Sequence, residues 1–468
     1  MEGQGGAEAV LELDAAFKGD VIRPGDSSFD QARSVYNGMI DKRPGLVVRP
    51  TGAADVIDAV NLARDKDLLL AVRCGGHSIA GNGVCDGGVL IDLSSLKGVR
   101  VNPGLRTAWA NAGALWGEFD RETQLYGLAT PGGRVTTTGV GGFTLGGGYG
   151  WLSPKFGMAC DNLTSVDVVT ADGGLVTASK SENADLLWGV RGGSSNFGVV
   201  ISYEFRLHPV GPIVLAGLLI HPIDEAKDLI RKYRDYVEAA PEELSTAIAI
   251  FMAPPAPFVP EHLIGQPVLG MVVMYIGDVE EGRDMVAPLK ELGPLAADLV
   301  QPMPYTELQA ILDPTAPWGL LNYNRGEHLA ALADEAIDIY VEHATEITRT
   351  SPWTQVIIFR HGGAVSRIPE NATAASHRDD VYIAHPIACW EDHADTDWHI
   401  DWVKRFSDAM RPFTTGGVYL NFEPTAGDEQ VRAGYGTEKY AKLVALKDKW
   451  DPENVFRVNQ NIKPSRER

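Results

Sequence analysis

The sequence predicts an α+β fold in two parts, on three observations. Short β-type runs punctuated by glycine fill the first 212 residues. Longer amphipathic helices alternate with apolar strands after that point. The pattern changes again near the C-terminus, at a helix stopped by Asp451-Pro452. A chain of 468 residues also exceeds the ~250–300 residues at which single cores stop growing.

Taken in order, GLVVRP (45–50), LLLAVRC (68–74), GGVLIDLS (87–94) and SVDVVTADGG (165–174) read as strands. Between the first two, DVIDAVNLARDK (55–66) repeats its apolar residues at helical spacing. This alternation predicts mixed sheets. Residues 186–210 read as a helix end, a glycine-rich turn and a closing strand. EAKDLIRKYRDYVEAA (225–240) and LADEAIDIYVEHATEIT (332–348) predict helices packed on one face. TQVIIFRHGG (354–363) and VYIAHPIACW (381–390) predict strands, and residues 438–464 a helix followed by an extended tail.

Composition narrows the function. The net charge is -21 and the pI about 4.9, which excludes non-specific binding to nucleic acid or to an anionic membrane. The first twenty residues lack the basic start and apolar run of a signal peptide. No stretch approaches the ~20 apolar residues of a membrane span. These features predict a soluble, cytoplasmic monomer or homodimer. Cys74, Cys85, Cys160 and Cys389 show no metal-site spacing, so we expect reduced thiols and no metal.

The 51 glycines are the clearest anomaly. They concentrate in RCGGHSIAGNGVCDGG (73–88) and PGGRVTTTGVGGFTLGGGYGWLSPKFGMACDNL (131–163). Glycine lets backbone approach a ligand, and successive N–H groups in tight turns make concave sites for a pyrophosphate. A dinucleotide held mainly by main chain is the functional reading. GGGYG (146–150) lacks an evident strand-turn-helix context with an acidic residue ~20 positions on, so a nicotinamide-binding Rossmann domain is not inferred.

With RGGSSNFGVV (191–200) and YGTEKYAKLVALKDKWDPENVFRVNQNI (435–462), these segments make four motifs in order. Over most of its length the chain resembles the berberine-bridge-enzyme-like FAD-linked oxidases of the vanillyl-alcohol-oxidase/PCMH flavoprotein family. That resemblance implies a PCMH-type FAD-binding domain of two α/β subdomains in residues 1–212. It implies an inserted substrate domain, an antiparallel sheet covered by helices, in 213–414. The last segment, 415–468, returns to the FAD domain.

The resemblance also implies FAD bound covalently through His77. Around it, Arg73, Cys74 (serine in the usual motif), Gly75, Gly76, Ser78, Gly81 and Asn82 fall in the first FAD segment. The second contains Pro131, Gly132, Thr137, Thr138, Gly139, Gly142, Gly146, Gly148, Gly150, Trp151 and Cys160. Gly198 and Val200 belong to the third, and Asn459, Gln460 and Asn461 to the last. Some members add a cysteine link to flavin C6; its position is Gly139 here, so a single link is expected.

The implied reaction is hydride transfer from a small alcohol, amine or phenolic substrate to flavin N5, with O₂ accepting the electrons and giving H₂O₂. The proton acceptor should lie within hydrogen-bond reach. The family's Y-x-N-Y motif appears as Tyr419-Leu420-Asn421-Phe422. Phe422 replaces the tyrosine used as base in several relatives, which leaves Tyr419. A phenol titrates near 10, so the site must depress it. Alternation places Gln355, Ile357, Phe359 and His361 on one strand face without a carboxylate. Tyr323 and Asn421 complete the expected substrate pocket, Asn322 beside Tyr323 is expected to line it or join the domains, and Glu370 is expected in solvent. Thr136 and Phe143 flank the flavin region, where side-chain size could set oxygen access. His377-Arg378 is expected to line the pocket or join the domains. A dehydrogenase using another acceptor, a flavin-loaded binding protein and a carbohydrate oxidase stay open.

Overall fold

The computed structural model describes residue 13 and residues 17–467, except 349, 425 and 426. Most of the N-terminal stretch examined for a signal peptide lies outside the described residues. No helix among the described residues is long and apolar enough to cross a membrane.

A four-stranded sheet opens the fold, built from β1 (Asp20–Ile22), β2 (Leu46–Arg49), β3 (Leu70–Arg73) and β4 (Val89–Asp92). Its order is β1-β2-β4-β3, with β2 and β3 parallel to β4. Val47, Val48, Leu90 and Ile91 are fully buried, as strands covered on both faces require. Helix α1 (Ala53–Asp65) crosses from β2 to β3 and buries Val56, Ala59, Val60 and Ala63, a single i, i+3, i+4, i+7 stripe.

A five-stranded antiparallel sheet follows. It contains β5 (Val99–Asn102), β6 (Thr107–Asn111), β7 (Leu163–Val169), β8 (Leu175–Ser179) and, after helix α2 (Ala184–Val190), β9 (Val199–Arg206). Its order is β5-β6-β9-β7-β8. The α1 stripe fills the space between the two sheets, in one core with Val48, Val166 and Phe205.

The third sheet has nine antiparallel strands. Along the chain come β10 (Ile213–Pro222), helix α3 (Ala226–Ala239), β11 (Leu244–Met252), β12 (Pro267–Tyr275), β13 (Ala297–Asp298) and β14 (Gln301–Pro304). After them come β15 (Leu321–Asn324), β16 (Glu327–Leu329), helix α4 (Asp334–Thr348), β17 (Gln355–Arg360), β18 (Tyr382–Trp390) and helix α5 (Thr396–Met410). The main path is β13-β10-β12-β11-β17-β18-β15.

Alternation gives this sheet two faces. Ile248, Val273, Ile358 and Ala384 meet Tyr233, Tyr340 and Trp402 from the three helices. Ala247, Val272, Ile357 and Phe359 point the other way, toward Trp151 and Leu152 of the glycine-rich segment. The last helix, α6 (Thr437–Trp450), and the tail return to the first core through Tyr440, Leu443, Phe456 and Ile462. The α+β class and PCMH-type arrangement expected from the sequence are what the chain adopts.

Candidate active site

A cavity of about 310 Å³ lies between the glycine loops and the inward face of the nine-stranded sheet. The end of β3 delivers the first loop to it. Buried Arg73 anchors that strand end by donating to Asp92 (2.7 Å) and to the Ser34 carbonyl (2.7 Å). Cys74, Gly75, Gly76, His77, Ser78 and Asn82 then line the wall. The two loops touch through backbone. A Cβ on Gly75 would lie 2.3 Å from Gly139 N, and one on Gly139 would lie 2.4 Å from Cys74 Sγ. Any side chain at either position would drive the loops apart.

The His77 imidazole is fixed from two sides. Its ring stacks on Tyr36 at 4.3 Å and 15°, with the Trp318 edge at 5.9 Å. Its Nε2 pairs with Thr137 Oγ1 at 2.9 Å. Burial pulls the imidazole down to about 4, so the ring is neutral at pH 7. When Nε2–H donates to Thr137, Nδ1 keeps its lone pair.

The C-terminal tail forms another wall. Gln460 accepts from Ser194 Oγ (3.2 Å) and donates to the Leu420 carbonyl (3.1 Å), and Asn196 donates to the Gln460 carbonyl (3.1 Å). This ties Asn459 and Gln460 to the loop before Gly198 and Val200, which also line the cavity.

Tyr419 is buried at the cavity end that faces the sheet. Its hydroxyl accepts from Gly148 N–H (3.1 Å) and from Asn421 Nδ2 (2.9 Å). These bonds favour a phenolate, but burial outweighs them and pushes the phenol up to about 12. The depression that a base role needs is therefore reversed: the hydroxyl stays protonated with its O–H free to donate. From β17, Gln355, Ile357 and Phe359 line the cavity, whereas His361, beyond the strand, packs on Tyr149 at 4.0 Å outside the lining.

Several expected residues sit elsewhere. On β15 the cavity side chains are Asn322 and Asn324. Tyr323, one residue out of phase, packs against the helix-covered core. Gly81, Pro131, Gly132, Gly148, Gly150, Trp151 and Asn461 do not line the cavity. Gly146 lies behind it, with a built Cβ 2.1 Å from Asn421 Oδ1. Cys160 is fully buried among Tyr149, Met158 and Val365, with its thiol pushed up to about 12 by burial. Glu370 is exposed, as expected, and pairs with buried Lys439 at 2.7 Å, outside the lining. Arg378 donates to both Asp161 oxygens (2.7 and 3.0 Å). Thr136 donates its N–H to Asp313 (2.8 Å), while Thr138 and Phe143 line the cavity.

Tyr36, Arg134 and His385 are among the lining residues without a sequence signal strong enough to single out. Arg134 was visible only as a lone cation in a Gly/Thr-rich run. His385 stands opposite Ile357 in the β17–β18 register, and alternation on a second strand could have found it.

FAD suits this donor set. Asn82 Nδ2 and Asn459 Oδ1 are buried without protein partners at the cavity wall. A Cβ on Gly142 would meet only open space. The glycine loops, a neutral anchored imidazole and a sheet face that sets Ile357, Phe359 and Ile387 beside Asn322, Asn324, Gln355 and His385 define a flavin-dependent oxidoreductase.

Comparison with known proteins agrees. Residues 44–179 match the FAD binding domain model, and residues 418–463 match the model described as berberine and berberine like. An FAD-linked oxidoreductase of Dictyostelium discoideum is 31% identical, with 98% of each chain covered. (R)-6-hydroxynicotine oxidase of Paenarthrobacter nicotinovorans is 29% identical over 97% of this chain and 98% of its own. The crystal structure of 6-hydroxy-D-nicotine oxidase from Arthrobacter nicotinovorans superposes with a TM-score of 0.85 at 27% identity, covering 96% of this chain and 98% of that one. The chain belongs to the berberine-bridge-enzyme-like branch of the FAD-linked oxidoreductases.

Proposed function

We propose that this protein oxidises a small organic substrate with FAD held by one covalent bond from His77. The observation that carries this reading is the His77 imidazole, neutral, stacked on Tyr36 and held by Thr137 in the cavity wall. A neutral imidazole is a nucleophile at pH 7. A second link from position 139 is disfavoured by Cys74, whose sulfur fills the space a side chain there would need.

Bound FAD would supply the two-electron acceptor for a substrate hydride, with O₂ as the final acceptor giving H₂O₂. The protein's own groups do the rest. The loop of residues 74–82 offers backbone N–H groups and Asn82 to the cofactor's polar part, and Asn459 and Gln460 close it from the tail. Ile357, Phe359, Ile387 and Phe422 exclude water from the substrate end. Tyr419 holds the substrate by donating its O–H to a substrate oxygen or nitrogen, and the proton that leaves with the hydride passes to solvent, to be taken up again when O₂ becomes H₂O₂. The chain would divide into an FAD-binding part (1–212 with 415–468) and a substrate part (213–414).

The test is a denaturing gel viewed under ultraviolet light. Wild type should stay fluorescent and His77→Ala should be dark. A dark wild type overturns the covalent bond, and a fluorescent mutant overturns its assignment to His77. Stopped-flow reoxidation in air then separates an oxidase from a dehydrogenase.

A further inference from the structure

The chain carries a net charge of -21, yet among the described residues no aspartate or glutamate lines the cavity. Two arginines do. Arg73 is neutralised by Asp92. Arg134 has no carboxylate partner among the described residues. Its guanidinium lies 3.9 Å from the Phe359 ring centroid and 5.0 Å from that of Trp151. Nη1 and Nη2 donate to the carbonyls of Tyr149 (3.2 Å) and Gly150 (3.3 Å), and Nε has no acceptor. Burial without a counter-ion draws the group down to about 9. A buried cation persists at low cost only where something pairs it.

The surroundings say where the counter-charge belongs. Phe359 comes from β17, so Arg134 sits against the substrate sheet rather than under the 74–82 loop. Beside it on β18, His385 lines the same cavity. Its ring stacks on Phe422 at 3.7 Å and 12°. Both its nitrogens are buried without partners, and burial lowers it to about 3, so it is neutral and can donate one hydrogen bond. A fixed cation, a neutral imidazole and aromatic walls together match a planar acidic group on an apolar skeleton, because guanidinium pairs best with carboxylate.

We propose that the substrate is an apolar or aromatic carboxylic acid, its carboxylate seated on Arg134 with His385 as a second donor. The assignment deepens the oxidoreductase reading of the same cavity and rests on it. It makes Arg134 a specificity-determining residue.

The test uses holoenzyme as wild type, Arg134→Gln and Arg134→Lys, with flavin content and far-ultraviolet dichroism checked first. Benzoate, phenylacetate, indole-3-acetate and hexanoate are each titrated against their own primary amides, by flavin absorbance and by calorimetry. At least one acid should bind wild type ten-fold or more tighter than its amide. Arg134→Gln should lose that preference, weakening the acid about 30-fold and the amide no more than two-fold. Arg134→Lys should keep part of it, and the flavin reduction potential should be unchanged in both variants.

If no acid is preferred over its amide, the proposal is overturned. It is also overturned if acid and amide weaken equally. A potential that falls while acid affinity stays intact overturns it too, and gives Arg134 to the flavin instead. If the protein carries no flavin, the oxidoreductase reading fails separately, and calorimetry still decides whether the cavity prefers acids.

Discussion

Tyr419 shows how two opposing effects are settled by magnitude. Two N–H donors on its oxygen pull the phenol down, burial pushes it up, and burial prevails at about 12. The hydroxyl is therefore a donor at every working pH. Tyr419→Phe should keep the packing and lower kcat/KM about 10²-fold, the usual effect of losing one aligned donor at a reacting centre. The wild-type pH profile should show no ionisation from this group below pH 10. An inflection between pH 7 and 9 that vanishes in Tyr419→Phe would return it to the role of base. Sequence placed Tyr419 in the site because its motif is contiguous. It misjudged the chemistry because burial is set by distant chain, here Tyr149, Met158, Val365 and Ile383 packed around the ring. Arg134 and His385 escaped for the same reason: each acquires meaning only when β17, β18 and the 131–139 loop converge.

At the scale of elements, α6 and its tail are joined by a fully buried ion pair. Lys447 Nζ donates to Asp451 (2.7 Å) and to the carbonyls of Asn196 (2.8 Å) and Phe456 (3.0 Å). Asp451 in turn accepts from the amides of Val455 (2.8 Å) and Phe456 (2.9 Å). Removing one partner of such a pair costs about 3–5 kcal/mol. Lys447→Ala should lose that much in urea unfolding, and a loss under about 1 kcal/mol would refute the role given to the pair. Its geometry also holds the segment that carries Asn459 and Gln460. Strands and helices were largely legible, since β2, β4, α1 and β17 follow simple periodicities. The phase of β15 was not. Tyr323 and Asn322 differ by one residue, and a short edge strand holds too few alternations to say which side faces in.

For the whole molecule, buried neutral histidines set the acid limit of stability. Burial lowers His385 to about 3 and His208 to about 4, against an ordinary value near 6.5. The unfolded chain therefore takes up these protons first. Their contribution is complete above about pH 6.5 and drains away as pH falls toward 3–4. Asp120, pushed up to about 7 by burial, and Glu327, also raised by burial, act in the opposite sense, but His77, His221 and His361 are lowered by burial as well and join the larger group. The thermal midpoint should drop by several degrees between pH 7.5 and pH 5, and a rise on acidification would contradict this balance. The fold also has a temporal side. The first core joins Val48 and Val166 to Leu443 and Ile462, with the nine-stranded sheet made in between. At ~5–20 residues per second of synthesis, the first half waits on the order of ten to fifty seconds for its closing segment. The intervening sheet can collapse on its own helices meanwhile. Order of manufacture thus makes the nine-stranded sheet the early template and the first core the late assembly. A nascent chain halted before α6 would leave the ribosome with its glycine loops unsealed.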